Sequence, residues 1–181
     1  MKLAFPTRRA VSRTLACDPL LAWDILSDYA AWPEWLPLVT QATERAREKN
    51  FALAEVELAP FPGRKVTIEC AHAPGTRVLA KSTIGQDPEF ILDWTVAPEG
   101  AGQCRVTVKC TWVHTPANVK AAMGAVDPNA WLNGLAAQVA SYAADVSTGP
   151  TDPAILLEIH ETESGLVCWY RGRKYAMTEA S

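Results

Sequence analysis

Alternation of apolar and polar residues dominates the middle of the chain, from residue 39 to residue 114. Five segments alternate clearly: 51–58, 64–72, 78–84, 90–96 and 104–112. A period of two is typical of a strand with one buried face and one solvated face. Turn signals such as Pro-Gly and Asp-Pro separate the segments, and tight turns make consecutive strands antiparallel. With an extended segment at 9–16 and another beginning at Val39, the pattern predicts seven antiparallel strands.

Two helical regions flank the alternation. Asp18 can cap a helix whose first turn contains Pro19 and which runs to about Ser27. Prolines then end this helix and leave room for one more brief helical turn. Asp127-Pro128 repeats the capping signal and starts a helix of about 18 residues, which Gly149-Pro150 ends.

The order of elements indicates the fold class. A strand, two short helices, six strands and a long helix form an α+β arrangement. A sheet of seven strands twists and curls, and only the last helix is long enough to cover its apolar face. We therefore predict a curved antiparallel sheet wrapped around the C-terminal helix. A gap between them would form an apolar ligand cavity.

The last segment of the chain adds a separate feature. Apolar stretches at 155–160 and 166–170 flank Glu163-Ser164-Gly165, which predicts a β-hairpin. A lone hairpin is marginally stable in water and must pack on something. We assign residues 1–149 to a ligand-binding domain and residues 150–181 to a hairpin extension. The extension packs either on its own domain or on a second subunit, which would make a homodimer.

Composition and charge narrow the function classes. The 181 residues are 49% hydrophobic and 20% charged, which is normal for one globular domain. A net charge of −3 disfavours nucleic acid as a partner. Because no apolar run approaches the ~20 residues that a membrane span requires, we expect a cytoplasmic protein with no integral membrane segment. The five cysteines show no ligand spacing, so we expect buried cysteines and no metal site.

One motif resembles a known family. The stretch Asp28-Tyr-Ala-Ala-Trp-Pro-Glu-Trp-Leu-Pro37, with Cys17-Asp-Pro and Trp23 before it, resembles the opening of the SRPBCC or START-like superfamily. The similarity is to the polyketide cyclase/dehydrase and lipid-transport branch and extends over about residues 8–147. It implies the helix-grip fold, in which seven strands wrap a long helix, and an apolar or aromatic molecule bound inside. Carriers, cyclases and interaction proteins share this scaffold, so the chemistry has to be argued from the site.

Candidate catalytic residues follow from strand parity and from the resemblance. Parity places Arg64 on the face of Val66, and His114 on the face of Trp112. In the aromatase/cyclases that the chain resembles, a cavity arginine and a histidine near the end of the sheet are thought to hold and protonate a poly-β-keto substrate. The resemblance implies that Arg64 stabilises an enolate and His114 transfers a proton, if the protein is a cyclase. Alternatively, both residues are solvated at strand ends, and this solvated interpretation is preferred for His72, which is beside the Pro74-Gly75 turn.

The candidate ligand contacts are the apolar residues that alternation places on the inner face of the strands, together with residues on one face of the last helix. They are Val66, Ile68, Trp94, Val108, Trp112, Leu135, Val139 and Tyr142. A register slip by one residue would bring Glu55, Thr67 and Lys109 inside instead. The seven tryptophans favour an aromatic or polycyclic ligand over a straight acyl chain, although core packing alone would also explain them.

Three functions are compatible with this sequence. The first is binding or transport of a hydrophobic small molecule such as a lipid, quinone or polyketide, because the sequence has no nucleophile elbow, metal-binding motif or phosphate loop. The second is a polyketide aromatase/cyclase or dehydrase. The third is a ribosome- or protein-interaction module, which the acidic charge disfavours. None of the three implies a cofactor.

Overall fold

The computed structural model describes residues 5–83, 88–114, 126–146, 157–162, 165–170 and 173–176; the surroundings of side chains are described within 8–83, 88–113 and 126–142. The chain forms two compact units, residues 1–137 and 138–181.

A seven-stranded sheet forms most of the first unit. Its strands are β1 (Phe5–Leu15), β2 (Val39–Glu48), β3 (Phe51–Leu58), β4 (Lys65–Ala73), β5 (Arg77–Ser82), β6 (Glu89–Pro98) and β7 (Cys104–His114). Their order in the curved sheet is β1-β7-β6-β5-β4-β3-β2, with every neighbouring pair antiparallel. Strands β2 to β7 follow one another as hairpins, and β1 joins the far edge beside β7. The predicted strand number and direction are confirmed.

The inner face of the sheet is the one that strand parity predicts. Exposure alternates along β3, β4, β5 and β6, with nearly every second side chain buried. Glu55 and Thr67 are half-buried and Lys109 is exposed, all on the opposite face. The register slip considered from the sequence is therefore excluded.

The helices also agree with the predicted boundaries. They are α1 (Pro19–Ser27), α2 (Trp32–Trp35) and α3 (Pro128–Val146), with a 3₁₀ turn at Tyr29–Ala31 between the first two. The Leu20 amide donates to Asp18 Oδ1 at 2.8 Å, and the Asn129 amide donates to Asp127 Oδ1 at 3.1 Å. Both Asp-Pro sequences are thus working helix caps. Within the described residues, no helix is long and apolar enough to span a membrane.

The start of α3 packs tightly against α2. A Cβ atom added at Gly134 would lie 1.9 Å from the carbonyl oxygen of Trp35, far inside contact distance. Trp131, Leu132 and Leu135 on the same part of the helix are buried. A glycine at position 134 therefore allows the two helices to approach at backbone distance.

The second unit contains a small antiparallel sheet. Its strands are β8 (Leu157–Thr162), β9 (Gly165–Tyr170) and β10 (Arg173–Ala176), in the order β10-β9-β8. The β8–β9 pair is the predicted hairpin, and Thr162 pairs with Gly165 at its turn. The third strand was not predicted, because four residues of mixed character give no readable alternation. The domain boundary at residue 149 stays a prediction.

The glycine at the helix contact provides the first test. Replacing Gly by Ala inside a helix normally stabilises a protein by about 1 kcal/mol. Here we expect Gly134→Ala to lower the free energy of unfolding by about 1–3 kcal/mol, because the new Cβ meets backbone that must move. Urea unfolding followed by circular dichroism measures this. Ala137→Gly, at an exposed position of the same helix, measures the difference in helix propensity between alanine and glycine without a packing contribution. A Gly134→Ala variant that is more stable than the original protein would disprove the close approach of the two helices.

Candidate functional site

Large aromatic rings occupy the inner face of the sheet near one of its ends. Phe90 and Trp112 are cross-strand partners and stack with ring centroids 5.3 Å apart and planes inclined by 15°. Phe61, in the turn between β3 and β4, stacks on Trp112 at 6.5 Å with the same small inclination. Phe90 and Trp112 are each at most 1% exposed. These three rings form a first aromatic cluster with parallel flat faces.

A second aromatic cluster lies further along the same strands. Trp94 of β6 contacts Trp35 of α2 edge to face, with centroids 5.8 Å apart, and contacts Trp131 of α3 at 6.5 Å. Sheet, short helix and long helix thus each contribute one ring. Trp94 pairs with Val108, four residues before Trp112 on β7. The two clusters are therefore separated by roughly 13 Å along the strands.

Three indole groups in these clusters lack a hydrogen-bond partner. Within the described part of the chain, the buried Nε1 atoms of Trp35, Trp94 and Trp112 have none. In contrast, the Nε1 atom of Trp23 donates to Arg77 O at 3.3 Å, and that of Trp32 donates to Leu26 O at 3.0 Å. Burying a donor without a partner costs about 1–3 kcal/mol. The inner face thus combines apolar rings with buried N–H groups that have no acceptor among the described residues.

Most of the residues predicted as ligand contacts are buried. Buried, with at most 5% exposure, are Val66, Ile68, Trp94, Val108, Trp112, Leu135 and Val139. Tyr142 is half-buried and interacts with another residue. Their burial agrees with the predicted parity, and their contact with a ligand stays a prediction.

The two candidate catalytic residues lie at the same end of the sheet. Arg64 precedes β4 and is exposed, and its amide donates to Phe61 O at 3.1 Å. The regular alternation begins only at Lys65, so strand parity does not determine the face on which the Arg64 side chain lies, and its role stays a prediction. His114 is the last residue of β7, and its side chain lies outside the described residues. Because β4 and β7 are three strand spacings apart, the two backbones are separated by roughly 14 Å along the sheet.

A groove of about 280 Å³ lies beside β4 and β5 and is lined mainly by outward-facing residues of these two strands. It is lined by Asn50, Ala71, His72, Ala73, Arg77 and Leu79. The charged group here, Arg77, is already paired with both carboxylate oxygens of Asp93 at 2.8 and 3.0 Å. This volume is slightly below the usual range for ligand pockets, and Arg77 is already paired, so the groove offers no free cation to a ligand.

Comparison with known families assigns the chain. Residues 7–145 match the model of the family described as polyketide cyclase / dehydrase and lipid transport. The chain belongs to this family. No curated protein matches it by sequence. The resemblance of the Asp28–Pro37 motif therefore identified the family correctly.

Solved structures of several START-like proteins share the fold of this family member. The Zhui aromatase/cyclase from Streptomyces sp. R1128 is 12% identical, with a TM-score of 0.65 over 77% of this chain and 96% of that one. The STAR-related lipid transfer protein from Xanthomonas axonopodis is 16% identical, with a TM-score of 0.61 over 74% and 85%. Norcoclaurine synthase from Thalictrum flavum is 12% identical, with a TM-score of 0.56 over 75% and 94%. At these identities the likeness establishes the fold alone.

The buried histidine His72 has a structural role in this family member. His72 Nε2 lies 3.1 Å from the carbonyl oxygen of Lys49, which only accepts, so Nε2 carries the proton. Nδ1, 3.3 Å from the Tyr29 hydroxyl, therefore accepts from that group. The edge of Trp23 packs on the imidazole at a centroid distance of 5.9 Å. Both ring nitrogens are satisfied in a buried position, so His72 has a structural role and is not solvated as its place beside a turn had suggested.

Tyr29 connects this histidine to a cation. The guanidinium of Arg47 lies 5.2 Å from the centre of the Tyr29 ring and donates to Ser27 O at 2.6 Å. Burial is the main cause that raises the pKa of Tyr29 above its ordinary value. The phenol therefore stays protonated and available to His72 at any physiological pH. Sequence reasoning missed this network, since nothing in a period-two pattern links residues 29, 47 and 72.

The described cysteines are buried thiols rather than nucleophiles. Cys17, Cys70, Cys104 and Cys110 are free and buried, as the sequence predicted. Burial raises the pKa of Cys17, Cys70 and Cys110 to about 12, so the thiolate is scarce at neutral pH. Cys17 Sγ lies 3.6 Å from Cys104 Sγ. The described residues contain no group of three or more metal-ligating side chains.

Removing one hydroxyl tests the structural role of His72. Tyr29→Phe leaves the Nδ1 acceptor buried without its donor, and we expect the free energy of unfolding to fall by about 1–3 kcal/mol. Ligand affinity should not change, because neither residue belongs to the aromatic clusters. Chemical denaturation and ligand titration measure the two effects. Ser12→Ala, which removes an exposed hydroxyl bonded to Thr107, should change stability by less than about 0.5 kcal/mol.

Proposed function

We propose that this protein binds and carries a hydrophobic small molecule, a lipid, quinone or polyketide-like compound, on the aromatic inner face of its sheet. The observation that carries the proposal is the pair of aromatic clusters around Trp94 and Trp112. Flat rings on two strands, two helices and one turn give a molecule with an extended apolar surface a complementary wall. Membership of the polyketide cyclase / dehydrase and lipid-transport family supports a hydrophobic ligand.

The polar groups of the described interior favour binding over catalysis. The buried polar side chains there are Ser27, His72 and Ser82. Ser82 Oγ accepts from the Phe90 amide at 2.8 Å, and Ser27 Oγ donates to Asp24 O at 3.3 Å. With His72 also satisfied, each of these groups is used by the fold. Within the described residues, no buried acid or base faces the aromatic clusters to exchange a proton with a ligand.

The aromatase/cyclase or dehydrase function is the second candidate. It is favoured by one observation, the location of Arg64 and His114 at the sheet end that also carries Phe61 and Trp112. An elongated poly-β-keto substrate would have to reach from the clusters to both residues. Arg64 would then stabilise the enolate as a fixed cation, and His114 would return the proton to carbon or oxygen. An interaction module is a third candidate, disfavoured by the net charge of −3.

Location and partners complete the proposal. We expect a cytoplasmic protein that does not bind nucleic acid, because its charge is unsuited to phosphate. The domain of residues 1–149 would hold the ligand. The hairpin extension of residues 150–181 would cover a sheet edge of its own domain or pair with a second subunit. These assignments are independent of the identity of the ligand.

Ligand capture is tested on purified full-length protein. Native mass spectrometry and an organic extract should reveal a bound hydrophobic molecule, and a protein that carries none and binds no hydrophobic probe would contradict the proposal. For a carrier, Arg64→Ala and His114→Ala should weaken binding by less than about tenfold without unfolding. For a cyclase, turnover should collapse while binding and stability remain. Arg45→Ala is the matched control, since Arg45 is an exposed arginine paired with Glu55 at 3.0 Å.

The hairpin extension is tested by deletion. Removing residues 150–181 should lower the thermal midpoint if the extension covers an edge of its own domain, because unpaired strand edges and apolar surface become exposed. It should halve the molar mass measured by light scattering if the extension joins two subunits. A truncated protein of unchanged stability and mass would leave the extension without either role.

A further inference from the structure

Two buried thiols lie in contact at one end of the sheet. Cys17 Sγ is 3.6 Å from Cys104 Sγ, which is van der Waals distance for two sulfur atoms. Cys17 follows the last residue of β1 by two positions, and Cys104 begins β7, where it pairs with Leu15. The pairing of β1 with β7 therefore brings together two sulfurs that are 87 residues apart in sequence. The proposed ligand binding uses neither of them.

The other described cysteines lie elsewhere on the sheet. Cys70 is on β4, three strand spacings from β7, or roughly 14 Å along the sheet. Cys110 is on β7 itself, but six residues beyond Cys104 and roughly 20 Å away. A disulfide requires Cα atoms no more than about 7 Å apart. Among the described cysteines, only Cys17 and Cys104 can therefore be bridged without rearranging the sheet.

We propose that Cys17 and Cys104 are an oxidisable pair, which a peroxide converts into a disulfide that clamps the first strand of the sheet to the seventh. The inference does not depend on the ligand-binding function. In a reducing compartment the two thiols are the resting form, and the disulfide forms only on exposure to the oxidant. An S–S bond of about 2.05 Å requires the two sulfurs to approach by about 1.5 Å, which small side-chain rotations provide.

The reaction consumes one peroxide molecule and releases two water molecules. Cys17 reacts first, since it is 7% exposed whereas Cys104 is fully buried. The Cys17 thiolate attacks a peroxide oxygen, the O–O bond breaks, and a sulfenic acid and hydroxide form. The Cys104 sulfur then attacks the Cys17 sulfur, the S–O bond breaks, and the S–S bond forms. Two thiols lose two electrons, the peroxide gains them, and the thiol protons leave with the oxygens as water.

Burial makes this reaction slow at neutral pH. It is the main cause that raises the pKa of Cys17 to about 12, and the Cys104 thiol and the Asp18 carboxylate add to it. Burial also raises the pKa of Cys104, with further contributions from Asp18 and Glu99. Because only the thiolate attacks, the oxidation rate should increase about tenfold per pH unit between about pH 7 and pH 9. The pair therefore responds to sustained oxidation rather than to a brief pulse.

The disulfide holds one edge of the sheet closed. β1 is an edge strand whose neighbour in the sheet is β7. A cross-link between residues 17 and 104 closes a loop of nearly half the chain, which strongly restricts the unfolded state. Oxidation should therefore raise the thermal midpoint by about 5–10 °C.

Peptide mapping combined with thermal unfolding tests the pair in the full-length protein. The protein is treated with hydrogen peroxide, unfolded, and alkylated to block the remaining thiols. Digestion without reductant should give the Cys17 peptide joined to the Cys104 peptide, while Cys70 and Cys110 are alkylated. The rise in thermal midpoint should be reversed by dithiothreitol and absent from Cys17→Ala and Cys104→Ala. Cys110→Ala is the matched control, because it removes another buried thiol of β7 and should retain both the cross-link and the rise.

Three results would overturn the inference. The first is the absence of the joined peptide at about pH 9, with Cys17 and Cys104 recovered as alkylated thiols or sulfinic acids. The second is a disulfide that joins two molecules or contains Cys168 in place of Cys104. The third is a joined peptide with no change in the thermal midpoint, which would show that the bond does not clamp the strands. The mapping uses the unaltered protein, so it decides the question even if an alanine variant does not fold.

Discussion

The register between neighbouring strands is the constraint on which the interior of this protein depends. Pairing of Phe90 with Trp112, and of Trp94 with Val108, places every large ring of β6 and β7 on one face. A slip by one residue would exchange these rings for Asp93 and Lys109, which face outward. Tight turns hold the register, as at Gly75, whose φ of 72° is accessible to glycine with little strain. The aromatic clusters are therefore a product of the pairing of the sheet as a whole.

Three buried indole N–H groups without a hydrogen-bond partner destabilise the interior relative to a core that lacks them. Each buried indole N–H without a partner costs about 1–3 kcal/mol, and a whole domain is stable by only about 5–15 kcal/mol. Three such groups are a substantial part of that margin. The fold can satisfy an indole, as Trp32 shows with its bond to Leu26 O. The packing of the rings in the two clusters therefore has to offset the cost of these three donors.

The sequence predicted those features that depend on repetition and local capping. Alternation located the seven strands and their inner face, and the Asp-Pro pairs located α1 and α3. Parity does not place Arg64, because a rule for regular strands does not apply one residue before β4 begins.

Contacts between distant elements were not readable in the same way. The Tyr29–His72 bond joins a helical turn to a strand 43 residues later, and the Phe61–Trp112 stack joins a turn to β7. Such pairs depend on how the elements pack, which no local pattern encodes. One weak signal existed, since an aromatic residue between two prolines, as at Phe61, is unusual in a solvated turn. The unpaired indoles likewise became visible only when the surroundings of the described tryptophans could be compared.

The position of β1 at the far edge of the sheet affects how the protein is made. β1 pairs with β7 along its whole length, and across that pair Ser12 and Thr107 share a hydrogen bond although 95 residues separate them. Strands β2 to β7, in contrast, pair with the strand just before or after them. During synthesis from the N-terminus, β1 is the first strand to be made and the last to find its partner. Closing so long a loop costs entropy before it brings any contact, and until then the edge of β1 is open to pairing with other chains.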